Sequence, residues 1–159
     1  MSKLLGKVIN EELLGRLSGK DIGSQEGVAI IIVTVDEQGW AHPTVLSYYE
    51  IVAKSEERID LAVGKTSTTG KNLRRGGKIT FLVTDAGINY YVKGNARETR
   101  ESLGAVPFMS LFRMEVVQLL EDQEPGATIT SGIAFTRPEK TESSEVSEKV
   151  FQAVREEPL

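Results

Sequence analysis

Apolar residues along this chain recur either at alternate positions or in short continuous runs, and both patterns predict strands. Val28 to Val35 is a β-branched run whose near-continuous hydrophobicity marks a central strand. Asp36-Glu37-Gln38-Gly39 then makes a hairpin turn. A second strand is expected from Trp40 to about Val52, with Pro43 placing one end at an edge or bulge because it has no N–H to donate. After a turn over 54–58, Ile59 to Val63 is the third strand, Lys78 to Thr84 the fourth, Ile88 to Thr99 the fifth and Phe108 to Leu120 the sixth. A last strand-like piece runs from Thr128 to Thr136.

Three short helices interrupt this pattern. Asn10 is a plausible N-cap for a helix that carries Leu13, Leu14 and Leu17 on one face and stops at Gly19. A second spans about Thr69 to Arg75 and ends at Gly76 and Gly77. A third, started by serine, repeats Val146, Val150 and Val154 with Phe151 adjoining, a stripe suited to covering the body or a partner subunit. Strands at hairpin spacing with only short helices indicate an antiparallel barrel rather than a parallel α/β sheet. The expected organisation is a body over 1–137 and an acidic C-terminal linker and helix over 138–159, the linker lying at Pro138 to Ser144.

Composition narrows the chemistry. The chain has 159 residues, 40% of them apolar, enough for one domain with its own core. It has no cysteine and one histidine, so a disulfide framework, a thiolate site and a multi-histidine metal site are all excluded. The net charge is −4, and six acids against three bases over 138–159 leave the body close to neutral. Broad nucleic-acid binding is disfavoured, and no apolar run approaches the roughly 20 residues that span a bilayer. The expected location is cytoplasmic.

Against that near-neutral body, residues 65–78 read Lys-Thr-Ser-Thr-Thr-Gly-Lys-Asn-Leu-Arg-Arg-Gly-Gly-Lys, with five cations and no carboxylate. Hydroxyls at Thr66, Ser67, Thr68 and Thr69, N–H groups at the start of the following helix and the Lys71 ammonium together make an anion site suited to a phosphate. The glycines follow the cations, so this is not a nucleoside-triphosphate P-loop. An ordinary capped surface helix is the competing reading of the same residues.

The order of segments favours the first. The β-branched strand, the Asp-Glu-Gln-Gly turn, Trp40 to Ser47, the basic loop and Tyr91-Val92-Lys93-Gly94-Asn95-Ala96 resemble the pyridoxamine 5′-phosphate oxidase-like FMN-binding split-barrel family over about Val28 to Arg100. Asn72-Leu73-Arg74-Arg75 and Val92-Lys93-Gly94-Asn95-Ala96 match the family's "K-x-x-N-L-x-x-N-P-x-V" and "v-x-G-x-A" patterns. The resemblance implies a mainly β, six-stranded antiparallel Greek-key split barrel with short flanking helices, forming a homodimer with FMN in each inter-subunit cleft. By position, His42, Pro43, Thr44, Val45 and Ser47 would follow the isoalloxazine ring, and Ala62 and Val63 the ribityl chain and phosphate. Ser67, Thr68, Thr69, Lys71 and Asn72 would form the phosphate loop. The implied activity is flavin-dependent oxidation or reduction of a small molecule, with NAD(P)H as a candidate electron donor.

Two departures qualify the activity. The family oxidase commonly has Arg-Lys where this chain has Thr68-Thr69, and basic residues where it has His42 and Ser47. Each lost charge-assisted bond weakens binding by about 1 kcal/mol or more. There is also no counterpart of the oxidase's substrate-phosphate clamp near the C-terminus, which disfavours pyridoxamine-phosphate oxidation. Alternatives are a flavin-holding module without turnover (sensor, store or stress protein), a relative using a deazaflavin or haem, and a barrel that has lost its cofactor. Trp40, Tyr48, Tyr49, Tyr90 and Tyr91 read as core or interface aromatics, the carboxylates form no convincing pair, and Ser47 and Ser67 lack a His/Asp arrangement. No residue is assigned to catalysis, and no metal site is expected.

Overall fold

The computed structural model describes residues 1–137 and 142–159. It forms one antiparallel sheet of eight strands: β1 (Ser2–Gly6), β2 (Ala29–Val35), β3 (Ala41–Ser47), β4 (Ile51–Ser55), β5 (Arg58–Gly64), β6 (Lys78–Asp85), β7 (Ile88–Arg100) and β8 (Met109–Asp122). The order is β3-β2-β6-β7-β8-β5-β4, and β1 pairs with the far end of β8. Helices α1 (Glu11–Leu17), α2 (Thr68–Gly76) and α3 (Glu142–Glu156) flank the sheet.

The class is the expected one, but the count rises from six strands to eight. The single strand expected from Trp40 to Val52 breaks at a 3₁₀ turn, Tyr48–Glu50. Ser47 and Glu50 form a capping box: the Ser47 N–H and hydroxyl both donate to Glu50 Oε2, at 2.6 and 2.8 Å. β1 adds the other strand, pairing Ser2 to Gly6 with Leu119 to Asp122 at the opposite end of the chain. The piece expected over Thr128 to Thr136 is not a strand. It makes one isolated bridge, Val28 with Ala134, and single hydrogen bonds from Ala29 to Ile133, from Phe135 to Gly27 and from Gly87 to Ile129.

The helices follow their sequence signals. Asn10 caps α1 through its side chain, which accepts from the Leu13 N–H at 3.0 Å, and Leu13 and Leu17 are fully buried in the barrel core. That core is built from alternate positions such as Ile30, Ile32, Ile59, Leu61, Phe81 and Phe112. Both faces of β5 are covered, because Ala62 points away from this core into a second cluster with Val52 and Leu111. Val150, Phe151 and Val154 of α3 close that cluster, so the C-terminal helix packs on the barrel's own outer face. α3 is described from Glu142, ahead of the serines expected to start it, and the Pro138 to Ser144 linker lies partly outside the described residues.

Charged groups fasten the end of the chain. Asp60, fully buried, accepts from Arg58 at 2.9 Å and Arg113 at 3.3 Å, and both guanidinium groups also donate to the Pro158 carbonyl. Lys54 donates to the carbonyls of Arg155 and Glu157. Among the described residues no helix is long and apolar enough to cross a membrane.

Gly94 allows a close approach of β7 to β8. A Cβ there would lie 2.4 Å from the Glu115 carbonyl oxygen and from the Met114 side chain, at a register shift between β7 and β8. Gly94→Ala is therefore expected to destabilise the fold by about 1–3 kcal/mol through overpacking against backbone. Denaturant unfolding checks this; an unchanged midpoint would contradict the close packing.

Candidate functional site

The basic loop begins where β5 ends. Ser67 N–H donates to the Gly64 carbonyl at 3.0 Å, and the Ser67 hydroxyl donates to that carbonyl and accepts from the Gly70 N–H at 3.1 Å. Ser67 is thus the N-cap of α2, whose first residue, Thr68, lies one before the helix start expected from the sequence. At the other end Gly77 closes the helix in the left-handed region, φ 67°, with its N–H on the Leu73 carbonyl. The N–H groups of Thr68 and Thr69 open the helix, and the side chains of Thr66, Thr68 and Lys71 are exposed beside them.

Buried hydrogen bonds tie α2 to β2 and β3. Thr69, 2% exposed, shares a 2.6 Å hydroxyl–hydroxyl bond with Thr44. Asn72, 3% exposed, donates from Nδ2 to the Thr34 hydroxyl at 3.0 Å and accepts from Arg75 at 3.0 Å. Arg75 also donates to the Val35 carbonyl. His42, half-buried, sits opposite Thr34 on the same side of β3 as Thr44. These bonds bring the loop residues Ser67, Thr68, Thr69, Lys71 and Asn72 together with His42 and Thr44.

The other expected site residues lie elsewhere. Pro43 and Val45 point to the opposite face of β3 by strand alternation, and Val45 is 59% exposed. Ser47, at the far end of β3, is buried with its hydroxyl on Glu50. Burial pushes the Glu50 carboxyl above its ordinary range, against the hydrogen bonds from Ser47. Val63 belongs to the barrel core and Ala62 is covered by α3, so only their backbone borders the loop.

The loop's cations are less available than their number suggests. Lys65 pairs with Glu101 at 2.9 Å, and Lys78 donates to Asn95 at 2.7 Å. Arg74 reaches both carboxylate oxygens of Glu98 from Nε at 3.1 Å, donates to Ser110 at 2.9 Å and lies over the Phe112 ring. The Arg74 hydrogen bond holds the Glu98 carboxyl below the usual carboxylate range, and Glu98 in turn raises Arg74. The Lys71 N–H donates to the Ser67 carbonyl, but its ammonium has no hydrogen-bond or ion-pair partner among the described residues.

Glu98, Glu101 and Ser110 are the residues that reading along the sequence missed. A signal existed: β7 is longer than β6, and Lys78, the first residue of β6, pairs with Asn95. Residues 96–100 therefore overhang the hairpin beside α2, as the Ala96 N–H on the Gly77 carbonyl confirms.

On the opposite sheet face, Pro43 and Val45 join Ile31, Val33 and Val35 of β2, Leu82 of β6 and Val117 of β8 in a partly exposed apolar surface, with Trp40 74% exposed at its end. Lys78 and Lys93 flank a shallow depression on it, lined by Val33, Val35 and Val117.

Strand order, the helix-capped loop and the close β7–β8 packing define the split-barrel fold of pyridoxamine 5′-phosphate oxidase-like proteins. The chain belongs to the same family as the uncharacterised protein YclD of Bacillus subtilis (strain 168), with which it is 30% identical over 125 residues, 79% of this chain and 81% of YclD. No protein-family model matches it. Among solved structures, a pyridoxamine 5′-phosphate oxidase-like protein of Lactobacillus delbrueckii superposes with a TM-score of 0.56 at 16% identity, covering 75% of this chain and 98% of that one. An FMN-binding protein of Syntrophomonas wolfei gives 0.53 at 18%, covering 71% and 88%. HutZ, the haem storage protein of Vibrio cholerae, gives 0.50 at 12%, covering 69% and 92%. At these identities the likeness is one of fold.

Replacing Thr69 with Val leaves the Thr44 hydroxyl without its partner in a half-buried position. The expected loss is about 1 kcal/mol of stability. Thermal and denaturant unfolding measure it, and wild-type stability would show that the helix–strand bond contributes nothing.

Proposed function

We propose that the protein binds FMN and uses it as a flavin-dependent oxidoreductase of a small molecule, in a cleft completed by a second copy of the chain. One observation carries the reading: the 2.6 Å bond between Thr69 and Thr44 joins the anion loop to the strand that the family resemblance assigns to the ring of the same ligand. The donors present suit a phosphate monoester. The Thr68 and Thr69 N–H groups at the helix start, the exposed Thr66 and Thr68 hydroxyls and the unpaired Lys71 ammonium would hold its oxygens. His42 and Thr44 would border the ring. FMN, when bound, supplies hydride or electron transfer, with NAD(P)H as the proposed donor. The chain's residues orient and anchor it, and no side chain is assigned to proton transfer.

The apolar face of β3, β2 and β6 supports the homodimer. Exposed aliphatic groups at Val35, Val45 and Val117 form part of a patch of the kind soluble monomers seldom leave open. A cytoplasmic location is part of the same proposal.

A second reading, haem in the same cleft, draws on His42. It is the chain's single histidine, it faces the site side of β3, and its imidazole has no hydrogen bond among the described residues.

The absorption spectrum and a flavin titration separate these readings. Bound flavin absorption and FMN released on heating are expected; a colourless protein that FMN does not titrate overturns the flavin reading, and a Soret band installs haem. Lys71→Ala is expected to weaken FMN about tenfold while leaving riboflavin unchanged, and equal losses for both would remove Lys71 from phosphate recognition. Light scattering is expected to show a dimer that Val45→Glu converts to a folded monomer. A wild-type monomer at micromolar concentration would remove the shared cleft.

A further inference from the structure

The anion loop carries its own counter-ions, and one of them is built into the fold. Arg74 belongs to the last turn of α2, yet its side chain runs back to the helix start. Its Nη1 donates to the Lys65 carbonyl at 2.8 Å and lies 3.4 Å from where a Cβ on Gly70 would stand. The remaining donors go to Glu98 and to Ser110, while the Phe112 ring packs against the guanidinium at 5.6 Å. Lys65, Lys71 and Arg74 are thus opposed by Glu98 and Glu101. Arg75 is turned away to the Val35 carbonyl and Asn72, so at the helix start three cations meet two carboxylates and leave about one positive charge, where a phosphate monoester brings about −1.5 to −2.

The two acids are not equivalent. Glu101 is 73% exposed and screened by solvent, whereas Glu98 is 24% exposed and Arg74 31%. Glu98 is also fixed in place, because the Ala96 N–H on the Gly77 carbonyl at 2.7 Å locks the β7 overhang to the end of α2.

We propose that Glu98 sets the phosphate affinity of this loop: it occupies Arg74 as an internal counter-ion, so that a phosphomonoester is held weakly and exchangeably. This rests on the phosphate reading given above. Replacing Glu98 by a neutral isostere leaves Arg74 tethered by Lys65, Ser110 and Phe112, and adds one positive charge to the field at the helix start.

Calorimetric titration of the full chain with FMN, riboflavin and inorganic phosphate tests this in wild type, Glu98→Gln and Glu98→Asp. Glu98→Gln is expected to bind FMN and inorganic phosphate about tenfold more tightly with riboflavin unchanged, and Glu98→Asp to stay at wild type. FMN bound equally by wild type and Glu98→Gln overturns the role of Glu98 and leaves the flavin reading standing. Phosphate tightened by Glu98→Gln in a protein that binds no flavin sustains the role and removes the flavin reading. Absence of any response to FMN or phosphate in either protein overturns both. The double variant Arg74→Gln/Glu98→Gln removes both charges of the pair and so avoids an unpaired one if Glu98→Gln does not fold. Its expected FMN affinity is that of wild type, and a tenfold loss would show that Arg74 already serves the ligand despite Glu98.

Discussion

The ladder between β7 and β8 is the constraint on which the rest of the molecule depends. These are the two longest strands, and β8 borders β5 along its first half and β1 near its end while holding β7 along the other edge. Gly94 lets the two backbones come together, and the register shift beside it changes the course of β7. Beyond that point β7 leaves β6 behind and delivers Glu98 to α2. The sheet geometry and the electrostatics of the loop thus share one origin.

The loop shows how far composition differs from field. Five cations in a short segment suggest a strongly positive site, but tertiary structure returns two carboxylates and an amide to them. Arg75 is taken up by the Val35 carbonyl and Asn72, and what remains is a helix start with open N–H groups, two exposed threonine hydroxyls and one ammonium. Such a site selects for an anion by hydrogen-bond geometry more than by charge. Its link to the barrel is buried, through Leu73 in the core and the polar contacts of Thr34, Thr69 and Asn72, so the position of α2 is fixed even though its outer surface is solvated.

Much of the fold was legible because its signals are local. Asn10 caps α1, the β-branched run forms β2, and the glycines after Arg75 end α2, each where short-range chemistry puts it. The break between β3 and β4 was also encoded locally, in the Ser47-x-x-Glu50 capping box, but the surrounding apolar residues masked it. β1 left no readable trace: Ser2, Lys3, Leu4 and Leu5 are all exposed, and only pairing with Leu119 to Asp122 makes them a strand. For the site, the loop and His42 to Thr44 could be read because each is contiguous and patterned. Their bonding to one another, the burial of Ala62 beneath α3 and the neutralisation by Glu98 and Glu101 are tertiary facts, set by strands far apart in sequence.

The pairing of β1 with the end of β8 has a consequence for synthesis on the ribosome. β1 is made more than a hundred residues before its partner, as the hydrogen bond from the Met1 nitrogen to the Gln123 carbonyl across 122 positions measures. α1 and the β2–β3 hairpin can form early, but barrel closure waits for β8. During that interval a nascent chain displays unpaired edges and apolar faces together, the state in which chaperone contact matters most.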